Sequence, residues 1–221
     1  MSLDFGLFTK KEDLYNKNIF VSDDCFSYLG KNLVSWLDSF LTSLGVKDTP
    51  VIKSSVDLSK CSIIGRVYID EDVLIEPYSY IKGPCYIGKG TEVRQAAYIR
   101  GNVYVGARCV VGHTTEVKSA VFLDGAKAGH FSYVGDSILG QNSNLGAGTK
   151  LANLKFNGSN ISIKDPVTNK RIDTSLRKLG AIVGDRAQLG CNSVTNPGTL
   201  ILPDGYVLPA SYVRGVIKNK L

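Results

Sequence analysis

Aliphatic residues recur at every sixth position through the middle of the chain. Reading from Ile63, the series is Ile63, Ile69, Ile75, Ile81, Ile87, Val93, Ile99, Val105, Val111, Val117 and Leu123, without a miss. At a rough one-in-four frequency of Ile, Leu and Val, such a run has a chance probability on the order of one in millions. The pattern therefore indicates an internal repeat with a six-residue unit.

A second column of small or β-branched residues follows four positions after these aliphatic residues. It comprises Val67, Val73, Ser79, Cys85, Thr91, Ala97, Val103, Cys109, Thr115 and Val121. A period of six fits neither a helix turn nor the simple alternation of a strand. It is typical of a coil of short strands with three six-residue sides, so about eighteen residues make one turn of a triangular prism. The predicted fold class is all-β, a parallel β-helix whose interior is filled by the aliphatic side chains.

The repeat loses phase near residue 130 and is interrupted again further on. It resumes at Val134, Leu139, Leu145 and Leu151, and after a polar stretch it returns at Val183, Leu189, Thr195, Ile201 and Val207. The polar stretch at 153–178 contains Asn157-Gly158 and Asp165-Pro166, which favour turns, so it predicts an excursion loop. A loop of this length is either the wall of a binding site, a clasp between subunits, or a tolerated surface insertion.

Before the repeats, residues 24–44 predict an amphipathic helix, which Ser22-Asp23-Asp24 begins and Gly45 ends. Its apolar face consists of Phe26, Leu29, Leu33, Leu37, Phe40, Leu41 and Leu44, beside Trp36. We expect it to cap the first coil, because an open coil end exposes apolar interior and unpaired strand edges. The predicted organisation is a helical cap segment at 1–50, a β-helix domain at 51–215 and a basic C-terminal tail at 216–221.

The composition of the chain restricts the binding partners and the cellular compartment that we expect. The chain has 26 Lys and Arg against 20 Asp and Glu, a net charge of +6, which predicts an anionic partner. It has no basic run of five residues, which disfavours nucleic acid, and no apolar run long enough for a membrane span. The start has no signal-peptide pattern, and the five cysteines form no Cys-x-x-Cys pair, so we expect a cytoplasmic protein with reduced thiols.

One side of the prism is predicted to carry a column of cations. Residues eighteen apart stack in successive coils, and one such column reads Ile64, Lys82, Arg100 and Lys118. Like charges about 4.8 Å apart repel unless opposite charges neutralise them. The column therefore indicates either a phosphate site or a solvated face neutralised by carboxylates such as Glu92 and Glu116.

The two histidines are the other candidates for chemistry. His130 follows Gly129 where the repeat loses phase, and an imidazole can take a proton from an amine or hydroxyl near neutral pH. The alternative is a structural histidine. A catalytic zinc takes three protein ligands, and His113 and His130 come with no carboxylate-rich motif, so no metal is expected.

These columns resemble the left-handed β-helix hexapeptide-repeat acyltransferases. Residues 98–153 resemble in particular the acetyltransferase domain of the bifunctional enzymes that acetylate glucosamine 1-phosphate and make UDP-N-acetylglucosamine. The resemblance implies a left-handed coil, whereas the general rule for parallel crossovers predicts a right-handed one. It also implies acetyl-CoA as co-substrate and a homotrimer with sites between neighbouring prisms.

The resemblance assigns roles residue by residue. It implies that Arg100, in Tyr98-Ile99-Arg100-Gly101, and Lys118 bind the sugar phosphate, with Lys82 as an outlying member of the column. It implies that His130, in Lys127-Ala128-Gly129-His130, is the general base and that Tyr133 and Asn144 contact the sugar. It implies that the Ala147 backbone contacts the acetyl-CoA thioester and that Asn153 lines the same site, and Cys191 is a further acetyl-CoA candidate. Apart from the resemblance, Arg214, Lys218 and Lys220 are candidates for binding the CoA phosphates, and a frayed basic C-terminus explains their charges equally well.

The chain departs from the family pattern after Asn153, where Leu154 and the long loop replace an Asn-Tyr pair and a basic residue. Residues 1–50 contain no Gly-rich nucleotide-binding loop, so no uridylyl transfer is expected. The implied function is transfer of acetyl from acetyl-CoA to the amine of a phosphorylated or nucleotide-linked amino sugar. Two alternatives stay open. One is a non-catalytic module that binds sugar nucleotides or trimerises a separate nucleotidyltransferase, and the other is an enzyme that uses an acyl carrier protein.

Overall fold

Three parallel sheets form the sides of a prism in the computed structural model, which describes residues 2–219. The first sheet contains, in order, Val51–Ile52, Val67–Ile69, Cys85–Ile87, Val103–Val105, Ala120–Phe122, Ile138–Leu139, Ala181–Val183, Thr199–Ile201 and Val216–Ile217. The second contains Ser62–Ile64, Tyr80–Lys82, Tyr98–Ile99, Glu116–Lys118, Tyr133–Gly135, Lys150–Leu151, Val194–Thr195 and Tyr212–Val213. The third contains Leu74–Ile75, Glu92–Val93, Val110–His113, Lys127–His130, Asn144–Leu145, Gln188–Leu189 and Tyr206–Val207.

The aliphatic column fills the interior, as the six-residue period predicts. Ile69, Val93 and Val117 come from the three different sheets, and each is completely buried in one continuous core. In each sheet a strand pairs in parallel with the corresponding strand of the next coil. This is the architecture of a left-handed parallel β-helix, so the predicted fold class is confirmed.

The phase of the repeat changes earlier than the sequence indicates. Ile99 pairs with Val117 eighteen residues on, but Val105 pairs with Phe122, so the coil that ends at Phe122 is one residue shorter than eighteen. The side of the prism between Val117 and Phe122 is one residue shorter than the six-residue repeat, so Phe122 points into the core in place of the next residue. Placing Leu123 in the interior column was therefore wrong, and Val121 of the second column also lies outside the core of the prism. Both side chains lie on the outer face of the first sheet, buried under the N-terminal segment.

The coil is also continuous at residue 130, where the sequence indicates an interruption. The strand Lys127–His130 pairs with Val110–His113 on one side and with Asn144–Leu145 on the other. Ala128 supplies the interior side chain of this strand, which is small enough to escape an aliphatic pattern. The second shortening follows between Val134 and Leu139, both of which point inward.

The N-terminal segment is less helical than predicted. It has 3-10 turns at Phe5–Leu7, Lys11–Asp13, Lys17–Ile19 and Cys25–Tyr28, and an α-helix at Gly30–Ser43. The helix begins late because Leu29 is extended and Gly30 has a φ of +55°, so Asp24 caps only the preceding turn. Within the described part of the chain, no helix has the length and apolarity needed to cross a membrane.

This segment forms the predicted cap, but it covers a side of the prism and not just its first coil. The rings of Trp36 and Phe40 lie 5.4 Å from Tyr104 and 5.1 Å from Tyr86, both on the first sheet. The Asn16 side-chain amide donates to the Tyr86 hydroxyl at 2.9 Å. The cap also reaches the first coil, where Arg66 pairs with Asp38. The outer face of the first sheet is therefore buried.

The predicted loop at 153–178 is folded. It contains an antiparallel ribbon of Ser162–Lys164 and Arg171–Asp173, and a bridge between Leu154 and Lys178 closes it. Its apolar side chains Ile161, Ile163 and Ile172 are buried in the cluster that includes the cap. At the other end of the coil, Val216–Ile217 pairs with Leu200–Ile201, so the first sheet extends into the segment predicted as a tail. Lys220 lies outside the described residues.

Candidate functional site

The predicted cation column is present on the outer face of the second sheet. Ile64 stands opposite Lys82 in the strand register, and the pairing of Ile81 with Ile99 and of Ile99 with Val117 brings Arg100 and Lys118 into the same column. One coil separates each cation from the next, a spacing of about 4.8 Å between backbones. Lys118 then stands opposite Gly135, where the run of cations ends.

Carboxylates neutralise two of the three cations. Arg100 Nη1 lies 2.6 Å from Glu116 Oε1, and this hydrogen bond raises the pKa of Arg100. Lys118 Nζ lies 2.7 Å from Asp136 Oδ2. Glu116 is one of the neutralising residues that the sequence indicated, whereas Asp136 was missed. Lys82 is exposed and has no ion pair among residues 2–219.

Lys118 belongs to a network that includes two further predicted residues. The Asn153 side-chain amide donates to the Tyr133 hydroxyl at 3.1 Å and to Asp136 Oδ2 at 2.5 Å. Gly135 makes room for this network, since a Cβ there would lie 2.6 Å from the Tyr133 hydroxyl. Asn153 was expected to contact acetyl-CoA, but its hydrogen bonds tie it to the residues expected to hold the sugar.

His130 lies at the end of a third-sheet strand, next to the corner that leads to the second sheet. Its side chain is exposed and has no hydrogen-bond partner among the described residues. The register places His113 one coil before it, and extending the pairing of Ala128 with Leu145 places Ala147 one coil after it. Cys191 comes in the coil after Ala147. The candidate base and two residues expected to bind acetyl-CoA therefore share one column.

A groove of about 360 Å³ runs beside this column. It is lined by His130, Asn144, Ala147, Cys191 and Arg94, among others. Arg94 was missed by the sequence analysis, and its Nη2 lies 2.9 Å from Glu92 Oε2. Arg94 stands one coil before Gly112 in the hexad column that Gly129 continues. A basic residue in this column was the signal that would have found it.

The floor of the groove is bare backbone. Gly112, Gly129 and Gly146 occupy one hexad position in successive coils. A Cβ at Gly112 would overlap the carbonyl oxygen of Gly129, and one at Gly146 would lie 2.6 Å from the Cys191 nitrogen. At these two positions, close contact between coils requires glycine, which leaves a flat channel past His130.

The amide of Ala147 faces no acceptor. Among residues 2–219, its N–H has no hydrogen-bond partner, whereas the neighbouring N–H groups of Gly146 and Gly148 donate to Leu189 and His130 carbonyl oxygens. An unpaired donor beside the groove is available to a ligand. This fits the role that the resemblance implies for the Ala147 backbone.

The cysteines divide into buried and exposed thiols. Cys25, Cys85 and Cys109 are buried, and burial raises the pKa of Cys109 to about 12, so its thiol stays protonated. Cys191 is exposed in the groove. It is therefore the described thiol with the best access to a ligand beside His130.

The two groups of predicted residues lie on adjacent sides of the prism. His130, Asn144, Ala147 and Cys191 line the third-sheet groove, whereas Tyr133 lines a second-sheet cavity. Only the corner of Phe131 and Ser132 separates His130 from Tyr133.

Arg214 lies with neither group. It lines a cavity beside the folded loop, together with Lys164 and Arg171. The structure therefore does not bring Arg214 together with His130.

Similarity to known proteins includes the part of the chain that carries most of these residues. A protein-family model described as the GMPPB C-terminal domain matches residues 81–178. The bifunctional sugar-1-phosphate nucleotidylyltransferase/acetyltransferase of Sulfurisphaera tokodaii is 39% identical over 152 residues, which cover 69% of this chain and 37% of that protein. The bifunctional protein GlmU of Methanococcus maripaludis is 36% identical over 170 residues, 77% of this chain and 39% of that protein.

The chain is therefore similar to these proteins in the segment that carries the hexads. The family resemblance read from the hexads is thereby confirmed. This hexapeptide-repeat protein spans less than two-fifths of the length of these two relatives. Among solved structures, the polysialic acid O-acetyltransferase OatWY aligns over 78% of this chain and 80% of that chain, with 14% identity and a TM-score of 0.33.

The family match covers most of the candidate site of this hexapeptide-repeat protein. Every predicted sugar or phosphate residue lies within 81–178, as do His130, Ala147 and Asn153. Cys191 and Arg214 lie beyond the matched segment.

Proposed function

We propose that this acyltransferase moves acetyl from acetyl-CoA to the amine of a phosphorylated amino sugar. One observation carries the proposal: the His130 groove and the Lys118 network meet across the single corner of Phe131 and Ser132. A group held at the network can therefore present an amine to the groove. The names of the bifunctional relatives, which join sugar-1-phosphate and acetyltransferase activities, support a phosphorylated acceptor.

His130 is the general base in this proposal. Its exposed, unpaired imidazole accepts a proton from the amine as the nitrogen attacks the thioester carbonyl carbon. The C–N bond forms, the C–S bond breaks, and the proton passes from the imidazolium to the departing sulfur. The products are the acetamido sugar and free CoA thiol.

Backbone and charged groups supply the remaining assistance. The free N–H of Ala147 donates to the carbonyl oxygen as negative charge develops there. Arg100 and Lys118 bind the phosphate, since a guanidinium has five donors and an ammonium three, and each uses only some of them on its carboxylate. Tyr133 and Asn144 orient the sugar between the phosphate and His130.

The proposal includes a homotrimer. The cap buries the outer face of the first sheet, so the second and third sheets are the sides left for contacts between copies. Exposed aromatic side chains support such a contact, with Tyr98 at 44%, Phe131 at 52% and Tyr212 at 63% exposure. In that assembly the neighbouring chain closes the His130 groove over acetyl-CoA.

The test is release of free thiol from acetyl-CoA, measured with glucosamine 1-phosphate and with nucleotide-linked amino sugars, together with the mass of the product. We expect thiol and acetamido sugar in equal amounts, and a molar mass by light scattering of three chains. Acceptor-independent thiol release, or none with any amino sugar, contradicts the proposal. If an acyl group is transferred from an acyl carrier protein but not from acetyl-CoA, the acyl carrier protein is the donor.

A further inference from the structure

A larger cavity adjoins Lys118 on the side away from His130. Its volume is about 730 Å³, and it lies between the start of the helix Gly30–Ser43, the end of the 153–178 loop and the second sheet. Lys118 and Asp136 line it, so it adjoins the network that holds Tyr133 and Asn153. The cap and the loop build this cavity, and neither belongs to the repeating coils.

The cavity has an excess of positive charge. Lys31, Arg177 and Lys178 line it in addition to Lys118. All three are exposed, and none forms an ion pair with a carboxylate within the described residues. Asp136, the carboxylate in the lining, already bonds Lys118 and the Asn153 amide. Three uncompensated cations around one cavity favour a ligand with more than one negative charge.

The cavity also has an apolar wall and more room than a phosphate needs. Leu29, Val34 and Leu176 line it together with the cations. Its volume falls in the range of roughly 300–1,000 Å³ that holds small organic ligands. A simple phosphate would use the cations but leave the apolar wall uncovered. The lining therefore fits a polyanion joined to a flat or apolar group.

We propose that the acceptor is an amino sugar linked to a nucleoside diphosphate. The phosphate next to the sugar stays at Lys118, the second phosphate binds Lys31, Arg177 and Lys178, and the nucleoside packs against the apolar wall. The sugar then extends past Lys118 towards Tyr133. The identity of the sugar as acceptor rests on the proposed function, whereas the nucleoside diphosphate site rests on the cavity alone.

The test compares two double variants by calorimetric titration with UDP and GDP. Arg177→Ala with Lys178→Ala removes two cations from the cavity. Lys47→Ala with Lys170→Ala removes one exposed cation from the cap and one from the loop, neither of which lines the cavity, and serves as the matched control. We expect at least tenfold weaker binding of one or both nucleotides in the first variant and less than a twofold change in the control. Failure of both nucleotides to bind the wild-type protein, or equal binding by the two variants, overturns the proposal.

Two further experiments distinguish a site for the nucleotide-linked acceptor from a site for the nucleotide part of acetyl-CoA. Acetyl-CoA also contains a nucleoside diphosphate, so a loss confined to 3′-phosphoadenosine 5′-diphosphate assigns the cavity to the acyl donor and overturns the proposal. In the thiol assay, the cavity variant should raise the KM of a nucleotide-linked amino sugar about tenfold and leave that of glucosamine 1-phosphate unchanged. Equal KM changes for both acceptors contradict the inference. If nucleotide binding depends on Arg177 and Lys178 but no thiol is released, the nucleoside diphosphate site is supported and the proposed function is rejected.

Discussion

Lys118 Nζ lies 2.7 Å from Asp136 Oδ2, and the two side chains are only 17% and 9% exposed. The ion pair is therefore far less accessible to solvent than the other pair of the column, in which Arg100 is 43% and Glu116 33% exposed. The burial of an ion pair determines how much folding free energy is lost when one partner is removed. A charge that stays buried without its partner has lost its hydration and gains no compensating interaction.

Asp136→Asn should therefore destabilise the protein more than Glu116→Gln, although each removes one negative charge. We expect a loss of about 1–3 kcal/mol in the free energy of unfolding for Asp136→Asn. For Glu116→Gln we expect less than about 1 kcal/mol. Urea unfolding of the two variants measures the difference, and equal losses would contradict the part assigned to burial.

His130→Ala should lower kcat by about two orders of magnitude or more, while the KM for the acceptor changes only a few-fold. The reason is that the imidazole acts on the amine proton and does not hold the phosphate. His113→Ala is the matched control, since His113 is also exposed and lies one coil away in the same column. Steady-state kinetics of both variants decide the point. A control that loses as much activity as His130→Ala would move the base to His113 or deny it to both.

Gly112→Ala and Gly129→Ala should differ sharply, although the two glycines are neighbours in one column of the groove floor. The new methyl group would overlap the Gly129 backbone in the first variant, whereas in the second its nearest contact is the Arg94 side chain at 3.8 Å. We expect Gly112→Ala to lose about 3 kcal/mol or fail to fold, and Gly129→Ala to lose less than about 1 kcal/mol. Thermal and urea unfolding test this, and a stable Gly112→Ala protein would refute the close approach of the coils.

Alkaline pH should unfold the protein through its buried tyrosines. Burial raises the pKa of Tyr28 to about 12 and raises the pKa of Tyr104 well above its ordinary value of 10.0. A group with a raised pKa in the folded state contributes fully below the unfolded pKa, and its contribution is lost as pH rises above that value. We expect the free energy of unfolding to fall above about pH 10.

Tyr104→Phe should flatten that fall by up to about 1.4 kcal/mol per pH unit, because one phenol no longer titrates. The measurement is urea unfolding across a series of alkaline buffers, with phenolate absorbance as a second signal. An unchanged slope in the variant would show that Tyr104 is not protected from ionisation in the folded protein.

The hexads predicted the stacking of Arg100 over Lys118 because a coil repeats its register, so one period fixes the neighbours of every residue. They could not reveal the lost residue before Phe122. Val121, Phe122 and Leu123 are all apolar, since the cap buries the outer face of this strand while the core buries the inner one. Without a polar residue to mark the outside, the pattern cannot tell which of the three points inward.

Asp136 escaped prediction for a different reason. It occupies a corner, with a φ of +50°, and corners lie outside the aliphatic columns on which the sequence analysis depends. A strict period of eighteen places Asp136 next in the column after Lys118, but the cation column was read only as far as Lys118. In the structure Gly135 stands opposite Lys118, and Asp136 lies at the adjoining corner. The cavity beside Lys118 was equally hidden, because Lys31 and Arg177 come from segments that precede and interrupt the repeat.

The cap limits the surfaces through which copies of this chain can associate. With the first sheet sealed, the proposed trimer would join its copies through the walls that also carry the candidate chemistry. In that trimer self-association and turnover would be coupled by geometry, so that a surface change that weakens one would weaken the other, and dilution alone would lower the activity.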